Sequence, residues 1–293
     1  MQSTSTSLLR NIVLLSHSGA GKTSLAEACI FATGSISRMG KVEDGNTVSD
    51  YEPEEIKRGG STQLSLLPCL WNEHKLNLID TPGYADFLAE VSSGIRVADG
   101  AMLMVAAPAG IEAGTEQMWG TLERKSIPRI IVINKMDREN ADFSRNVTSI
   151  QETFGRNCVP THWPVGSDAT FKDVIDLLKD DQEYPADLSD AITDAKDQLV
   201  EVIAESDDEL ATKYLEGEDI KNEELRAALA RGVISGLVVP ILPTSATLGI
   251  GIKEVLDSMS QCLPSPSDVD RRTSPDSDGS DGYGPQGSFA ALV

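Results

Sequence analysis

The chain has 293 residues, enough for one large or two modest domains with a real core, and 40% of them are hydrophobic. Lys plus Arg total 25 against 46 Asp plus Glu, a formal net charge of −21, which argues against sequence-blind adhesion to nucleic acid through neutralised phosphates. The four cysteines, Cys29, Cys69, Cys158 and Cys262, show no CxxC spacing; they predict core thiols in a reducing, cytoplasmic compartment, and no apolar run is long enough to cross a bilayer.

In chain order, short apolar runs alternate with amphipathic ones, the pattern of βαβ units and a mostly parallel sheet. "NIVLLS" (11–16) predicts a strand and "KTSLAEACIFATG" (22–34) a helix closed by Gly34. Residues 35–62 are polar, with no clear periodicity, and a stretch of that length is either disordered or functional. "QLSLLPCLW" and "HKLNLID", joined by "NE", predict a hairpin in which Pro68 suits an edge. Then follow a helix (85–97), a strand (101–107), a helix (112–125), a strand (129–134) and a helix (142–154). Residues 157–238 are dominated by acidic helical text with apolar residues at helical spacing, which predicts a mainly helical subdomain inserted before the last strand. "VVPILPTSA" (238–246) and "GIKEVLDSMSQCL" (251–263) close the pattern. The expected fold is α/β, a six-stranded, mostly parallel sheet with helices on both faces. The Ser/Asp/Gly-rich 267–286 predicts a flexible acidic linker, and 287–293 the start of a strand of a further domain.

Four motifs carry chemistry. "SHSGAGKT" (16–23) lies between the first strand and helix, where a phosphate loop belongs, with Ser16 in the place of the first Walker glycine. Backbone N–H groups from about Gly19 to Thr23 (Gly19, Ala20, Gly21, Lys22, Thr23) would converge on the β-phosphate at the positive end of the helix, with Ser18 and Ser24 in the same nucleotide site and the His17 ring packed beneath the nucleotide. Lys22 would bridge the β- and γ-phosphates, and the Thr23 hydroxyl would ligate Mg²⁺. In "DTPGY" (80–84), Asp80 would reach the magnesium, Gly83 would offer its N–H to a γ-phosphate, and Tyr84 would face the attacking water. A phenol is a poor base there. "NKMD" (134–137) predicts a guanine pocket: Asp137 accepts from N1–H and the exocyclic amine, Asn134 holds the loop, and the Lys135 stem lies over the base. Adenine lacks those donors and would leave the acid unpaired. "SAT" adds Ser245, Ala246 and Thr247 as the last wall, with Ser245 and the Ala246 N–H supporting guanine O6. Each of the last three motifs is weak alone; their order after the phosphate loop gives them force.

These motifs, in this order, resemble a Ras-like P-loop GTPase domain. The run from His17 to Ser61, together with "GTEQMW", "NKMDR", "ESDDELATKYLEGE", "VVPILPTSA" and "LPSP", is similar to bacterial elongation factor G over about residues 1–266. The resemblance implies a G domain (1–156 and 239–266), a G′ insertion (157–238) and entry into a β-barrel domain at 287–293. It also implies a monomeric, cytoplasmic translational GTPase that uses GTP/GDP and Mg²⁺ and works on the ribosome; the helices around 188–215 either meet a stalk protein or only cover the insertion's core. Residues 35–62 become the first switch loop, with Ser61 at the magnesium-binding position and Thr62 as rival ligand. Two positions depart from the family: Tyr84 replaces a His that orients water, and Gly19 replaces an Asp of the phosphate loop. The paired changes resemble the divergent second-copy proteins of that family rather than the main translocase, and they predict slow intrinsic turnover unless a ribosome supplies the missing groups. They leave open a GTP-dependent binding module that does not hydrolyse; a general ATP-using enzyme is disfavoured by Asn134 and Asp137.

Overall fold

The computed structural model describes residues 4–179 and 184–269. The linker and strand expected beyond 269 lie outside the described residues. In chain order the main elements are β1 (Leu9–Ser16), α1 (Lys22–Ala32), α2 (Pro53–Arg58), β2 (Ser65–Trp71), β3 (His74–Asp80), α3 (Leu88–Val97), β4 (Gly100–Ala106), α4 (Ala113–Arg124) and β5 (Arg129–Asn134). They continue with α5 (Phe143–Phe154), β6 (Cys158–Pro160), β7 (His162–Val165), β8 (Asp173–Asp176), α6 (Ser189–Glu205), α7 (Asp208–Glu216), α8 (Asn222–Ser235), β9 (Val239–Pro243) and α9 (Ile252–Cys262).

The main sheet has the order β2-β3-β1-β4-β5-β9-β6. All neighbours are parallel except β2, which pairs antiparallel with β3. The β2–β3 connection uses Asn72 and Glu73 at φ 45° and 67°, the two positive values a tight hairpin turn demands. Pro68 sits on the edge strand, where its missing N–H costs no ladder bond to an outer neighbour.

Burial on both faces explains the near-continuous apolar strands. Along β1, Ile12 and Leu14 join one buried cluster while Val13 and Leu15 join the other; along β4, Met102 and Met104 part in the same way from Ala101, Leu103 and Val105. The first cluster takes in α1 and α9, the second α3, α4 and α5.

Three differences from the sequence expectation have physical causes. The sheet has seven strands, not six, because Cys158–Pro160 pairs in parallel with β9 through Cys158↔Val239 and Pro160↔Ile241. The 157–238 stretch therefore opens inside the main sheet, followed by the separate β7–β8 pair. Its helices bury Ile192, Leu199 and Ile203 of α6 and Leu225, Ala228 and Val233 of α8 in the same apolar cluster as Ile12 and Met102, so they share the sheet's core. Finally, the 35–62 loop contains a helix, α2, with Pro53 at its start and Glu52 and Glu55 forming a capping box.

Candidate functional site

The mutually parallel strands β3, β1, β4, β5 and β9 send their following loops to one rim of the sheet, where ligands bind in open α/β folds. At the end of β1 the chain turns through residues 17–21 into α1. Gly21 has φ 92°, and a Cβ there would come within 2.6 Å of Asn134 Nδ2; the turn and the close approach of β5's loop both require glycine. Lys22 is buried and its Nζ donates to Ser16 Oγ at 2.8 Å. Burial lowers its pKa, opposed by the nearby Asp80 and Asp50, so the ammonium calls for anions. A Cβ on Gly83 would lie 2.7 Å from Lys22 Nζ and 2.9 Å from Ser18 Cα. Only a glycine brings the DTPG backbone this near the phosphate loop.

On the next side of the cleft, Thr23 Oγ1 donates to Asp80 Oδ2 at 2.8 Å and lies 3.2 Å from Ser61 Oγ, which donates to Asp50 Oδ1 at 2.6 Å. The other oxygens, Asp80 Oδ1 and Asp50 Oδ2, are buried without a hydrogen-bond partner among the described residues. Burial pushes the Asp80 carboxyl up to about 6, against the pull of Lys22 and Thr23, and raises Asp50 too, against its bond from Ser61. Two desolvated carboxylates with orphaned oxygens beside two hydroxyls fit a hard divalent cation. Ser61 and Thr62 part company here. Glu55 accepts from the Thr62 N–H at 2.8 Å, from the Gln63 N–H at 3.1 Å and from Thr62 Oγ1 at 3.4 Å. The Thr62 hydroxyl is thereby held at Glu55, and Ser61 faces the cleft.

The base side is built around Asn134. Its Nδ2 donates to the Ala20 carbonyl at 2.9 Å, and its Oδ1 accepts from the Ala246 N–H at 3.1 Å. One amide thus joins the phosphate loop, the end of β5 and the loop after β9. Asp137 Oδ1 accepts from Ser245 Oγ at 2.6 Å, while its Oδ2 lies 3.6 Å from Arg138 Nε. Lys135 takes φ 65° at this bend. A cleft of about 240 Å³ runs through the site, lined by Ser18, Gly19, Gly21, Lys22, Thr23 and Ser24, by Asn134, Lys135, Ala246 and Thr247, and by Ser61, Gly83 and Tyr84.

Some expected roles change. The His17 ring does not lie beneath the cleft: its Nε2 is 3.5 Å from Glu112 Oε1, beside the start of α4. Ala20 acts through its carbonyl on Asn134. The Ala246 N–H is already engaged by Asn134, and the fully buried Ser245 steadies Asp137, so neither is free for guanine O6. Tyr84 is 40% exposed at the cleft's mouth, and its ring also borders a second, more apolar cavity of about 340 Å³ lined by Leu15, Leu88, Val91 and Met118.

Sequence reasoning missed Asp50, Glu55 and Glu27. Glu27 is buried and accepts from the backbone N–H groups of Gly40 at 2.8 Å and Val48 at 3.0 Å, fastening the loop that carries Asp50. Acids within a polar, charged loop look like solvent-facing text; the capping pair around Pro53 was the available signal.

The sequence matches the elongation factor Tu GTP-binding domain family over residues 7–265. A crystal structure of a protein from Thermus thermophilus is similar to this chain at 32% identity with a TM-score of 0.84, covering 89% of this chain. The chain spans 41% of that protein's length.

Proposed function

The chain belongs to the elongation factor Tu GTP-binding domain family, and on that footing we propose that it binds GTP with Mg²⁺ and hydrolyses it slowly to GDP and phosphate, in an elongation factor G-like, ribosome-linked cycle. The observation that carries this reading is the meeting of Thr23, Ser61, Asp50 and Asp80 beside the buried Lys22, with two carboxylate oxygens left unpaired.

Thr23 and Ser61 would hold the cation through their hydroxyls, with Asp80 and Asp50 supporting from behind. Bound there, Mg²⁺ supplies neutralisation of phosphate charge. Lys22 neutralises the phosphate oxygens, and the N–H groups of residues 17–24 position them. Gly83, close to Lys22, offers its N–H where the terminal phosphate would end. Asp137, steadied by Ser245, reads the guanine edge. Asn134 fixes the relative position of the loops that form the pocket's walls. Tyr84 occupies the place from which a side chain orients the attacking water, and its phenol accelerates that step less than a base would.

The finer assignments belong to the same proposal: 157–238 as a G′ insertion, α6 and α7 as a face for a ribosomal stalk protein, a monomer, and a cytoplasmic location. No helix among the described residues is long and apolar enough to cross a membrane. A charge of −21 favours complementary protein surfaces over nucleic-acid phosphates as the means of ribosome contact.

Tyr84 and Gly19 favour a second reading, a GTP-dependent binding module without turnover. Labelled GTP and ATP titrations test the base preference, and equal affinities would overturn the proposal. Phosphate release with and without ribosomes separates hydrolysis from holding: stimulated release supports the GTPase, while tight GTP binding with no release under either condition supports the module.

A further inference from the structure

We propose that Arg58 is a positioning residue whose guanidinium, laid over the rings of Tyr84 and Phe87, latches the first switch loop to the segment after DTPG and closes the triphosphate end of the cleft. The inference deepens the GTP-binding reading and rests on it for its nucleotide arm.

The Arg58 guanidinium carbon lies 4.8 Å from the Tyr84 ring centroid and 5.3 Å from that of Phe87. Both are within the roughly 6 Å over which a cation is drawn to an aromatic face. The local fold explains why one cation meets two rings. Residues Ala85–Phe87 form a 3₁₀ turn with Tyr84 at its extended N-cap, and the Phe87 N–H donates to the Tyr84 carbonyl at 3.1 Å, a single turn that keeps the two residues close. Arg58 is the last residue of α2, after which Gly59, at φ 69°, swings the chain toward Ser61. A Cβ on Gly60 would lie 3.4 Å from Tyr84 Cε2, so the phenol rests on the loop's backbone as well as on its guanidinium. No carboxylate pairs with Arg58 among the described residues; its guanidinium meets the two rings instead.

This contact gives the aromatic residue at position 84 a physical reason. An imidazole has a weaker quadrupole when neutral and repels a guanidinium when charged, whereas a phenol attracts it. Tyr84 thereby serves the loop that brings Ser61 to Thr23. The latch tightens the grip on a nucleotide that needs the switch loop closed, a triphosphate, and does little for a diphosphate.

The test uses the full chain. Amide hydrogen exchange over residues 59–64 is measured without nucleotide, and stopped-flow release is measured for fluorescent GDP and a non-hydrolysable fluorescent GTP analogue. Arg58→Ala and Tyr84→Leu should each speed exchange and analogue release about fivefold, the scale of one partly exposed cation–π contact. Tyr84→Phe should stay within about twofold of the parent, GDP release should move less than about twofold in Arg58→Ala, and the double variant should be no faster than the worse single one. Parental exchange in Arg58→Ala, an additive double variant, or an equal acceleration of GDP and analogue release would overturn the latch. If the parent chain binds neither nucleotide, the GTP-binding reading fails, and the nucleotide-free exchange arm still decides whether Arg58 holds the loop.

Discussion

Replacing Asn134 with Ala removes the amide that joins three loops, and its cost can be worked from two bonds. Both Nδ2→Ala20 O (2.9 Å) and Ala246 N→Oδ1 (3.1 Å) are buried. Truncation leaves a carbonyl and an N–H without partners, at about 1–3 kcal/mol each. The expected loss is about 3 kcal/mol, a large part of the roughly 5–15 kcal/mol that holds a domain folded. Asn134→Asp separates chemistry from volume. One oxygen would still accept from Ala246, but the other would face the Ala20 carbonyl, acceptor against acceptor, unless the acid is protonated. Burial and that carbonyl raise the folded-state pKa of the new acid above its unfolded value. Its contribution to stability is then present at low pH and lost as pH rises through the folded pKa. Urea unfolding at pH 5 and pH 8 should show Asn134→Asp recovering toward the parent at the lower pH, relative to the pH response of Asn134→Ala. GTP affinity, read by fluorescence titration, should fall at least about tenfold in the Ala variant as the pocket walls lose register. A loss below about 1 kcal/mol in the Ala variant, or an Asp variant that follows Ala at both pH values, would refute the account of Asn134 as the joint between the loops.

Asp137→Asn replaces an acceptor oxygen with a donor facing guanine's amine. GTP affinity should fall by about 100-fold or more, with xanthosine triphosphate, whose carbonyl replaces that amine, gaining by comparison in the same titration. Tyr84→His places a base at the cleft's mouth but gives up the Arg58 contact; measured against Tyr84→Leu, which gives up the same contact without adding a base, single-turnover phosphate release should rise at least about tenfold, and equal rates in the two variants would show that a base at position 84 does not limit hydrolysis. His162 is buried beside Thr161, and burial pushes its pKa down from 6.5 to about 4, with Asp176 opposing and Arg226 assisting. Between those values the unfolded chain binds the extra proton, so stability is whole above 6.5 and falls as pH drops toward 4. His162→Gln should flatten that part of the urea-unfolding profile.

What was legible in the sequence and what was not follow from where each preference is decided. Strands β1, β4 and β5 are buried on both faces, so their apolar runs stand out, and each motif marks the turn where such a run stops at the binding rim. The three residues of β6 are too few for any periodicity; their place comes from β9, which lies far along the chain. Helix α2 is six residues long and relies on Glu55, whose carboxylate also stitches Thr62 and Gln63. Its cap was visible around Pro53, but the loop's polarity hid it. Asp50 was invisible for a further reason. Its position depends on Glu27, reached from α1 through Gly40 and Val48, a contact that local propensity does not encode. The rings of His17 and Tyr84 were also beyond a motif, because a motif places a residue on a loop without choosing which neighbour its side chain meets.

The distribution of these groups bears on whether the site holds its nucleotide or consumes it. Thr23, Ser61, Asp80, Asn134 and Asp137 are held by buried or part-buried hydrogen bonds to other loops of the site, and Lys22 by a buried bond to Ser16 within its own loop, so their orientation is set before a ligand arrives. Preorganised charge of this kind stabilises a bound triphosphate and the charge that builds on it in the transition state, so part of catalysis is already present in the groups that bind. The altered group is Tyr84, which is 40% exposed and held by a cation on a loop rather than by the sheet. On the proposed reading, binding energy resides in the buried rim, while the positioning of water rests on an exposed side chain at the cleft's mouth. A partner that presses on the segment after DTPG would change turnover without disturbing the guanine pocket, because Asp137, Ser245 and Asn134 share none of their bonds with it.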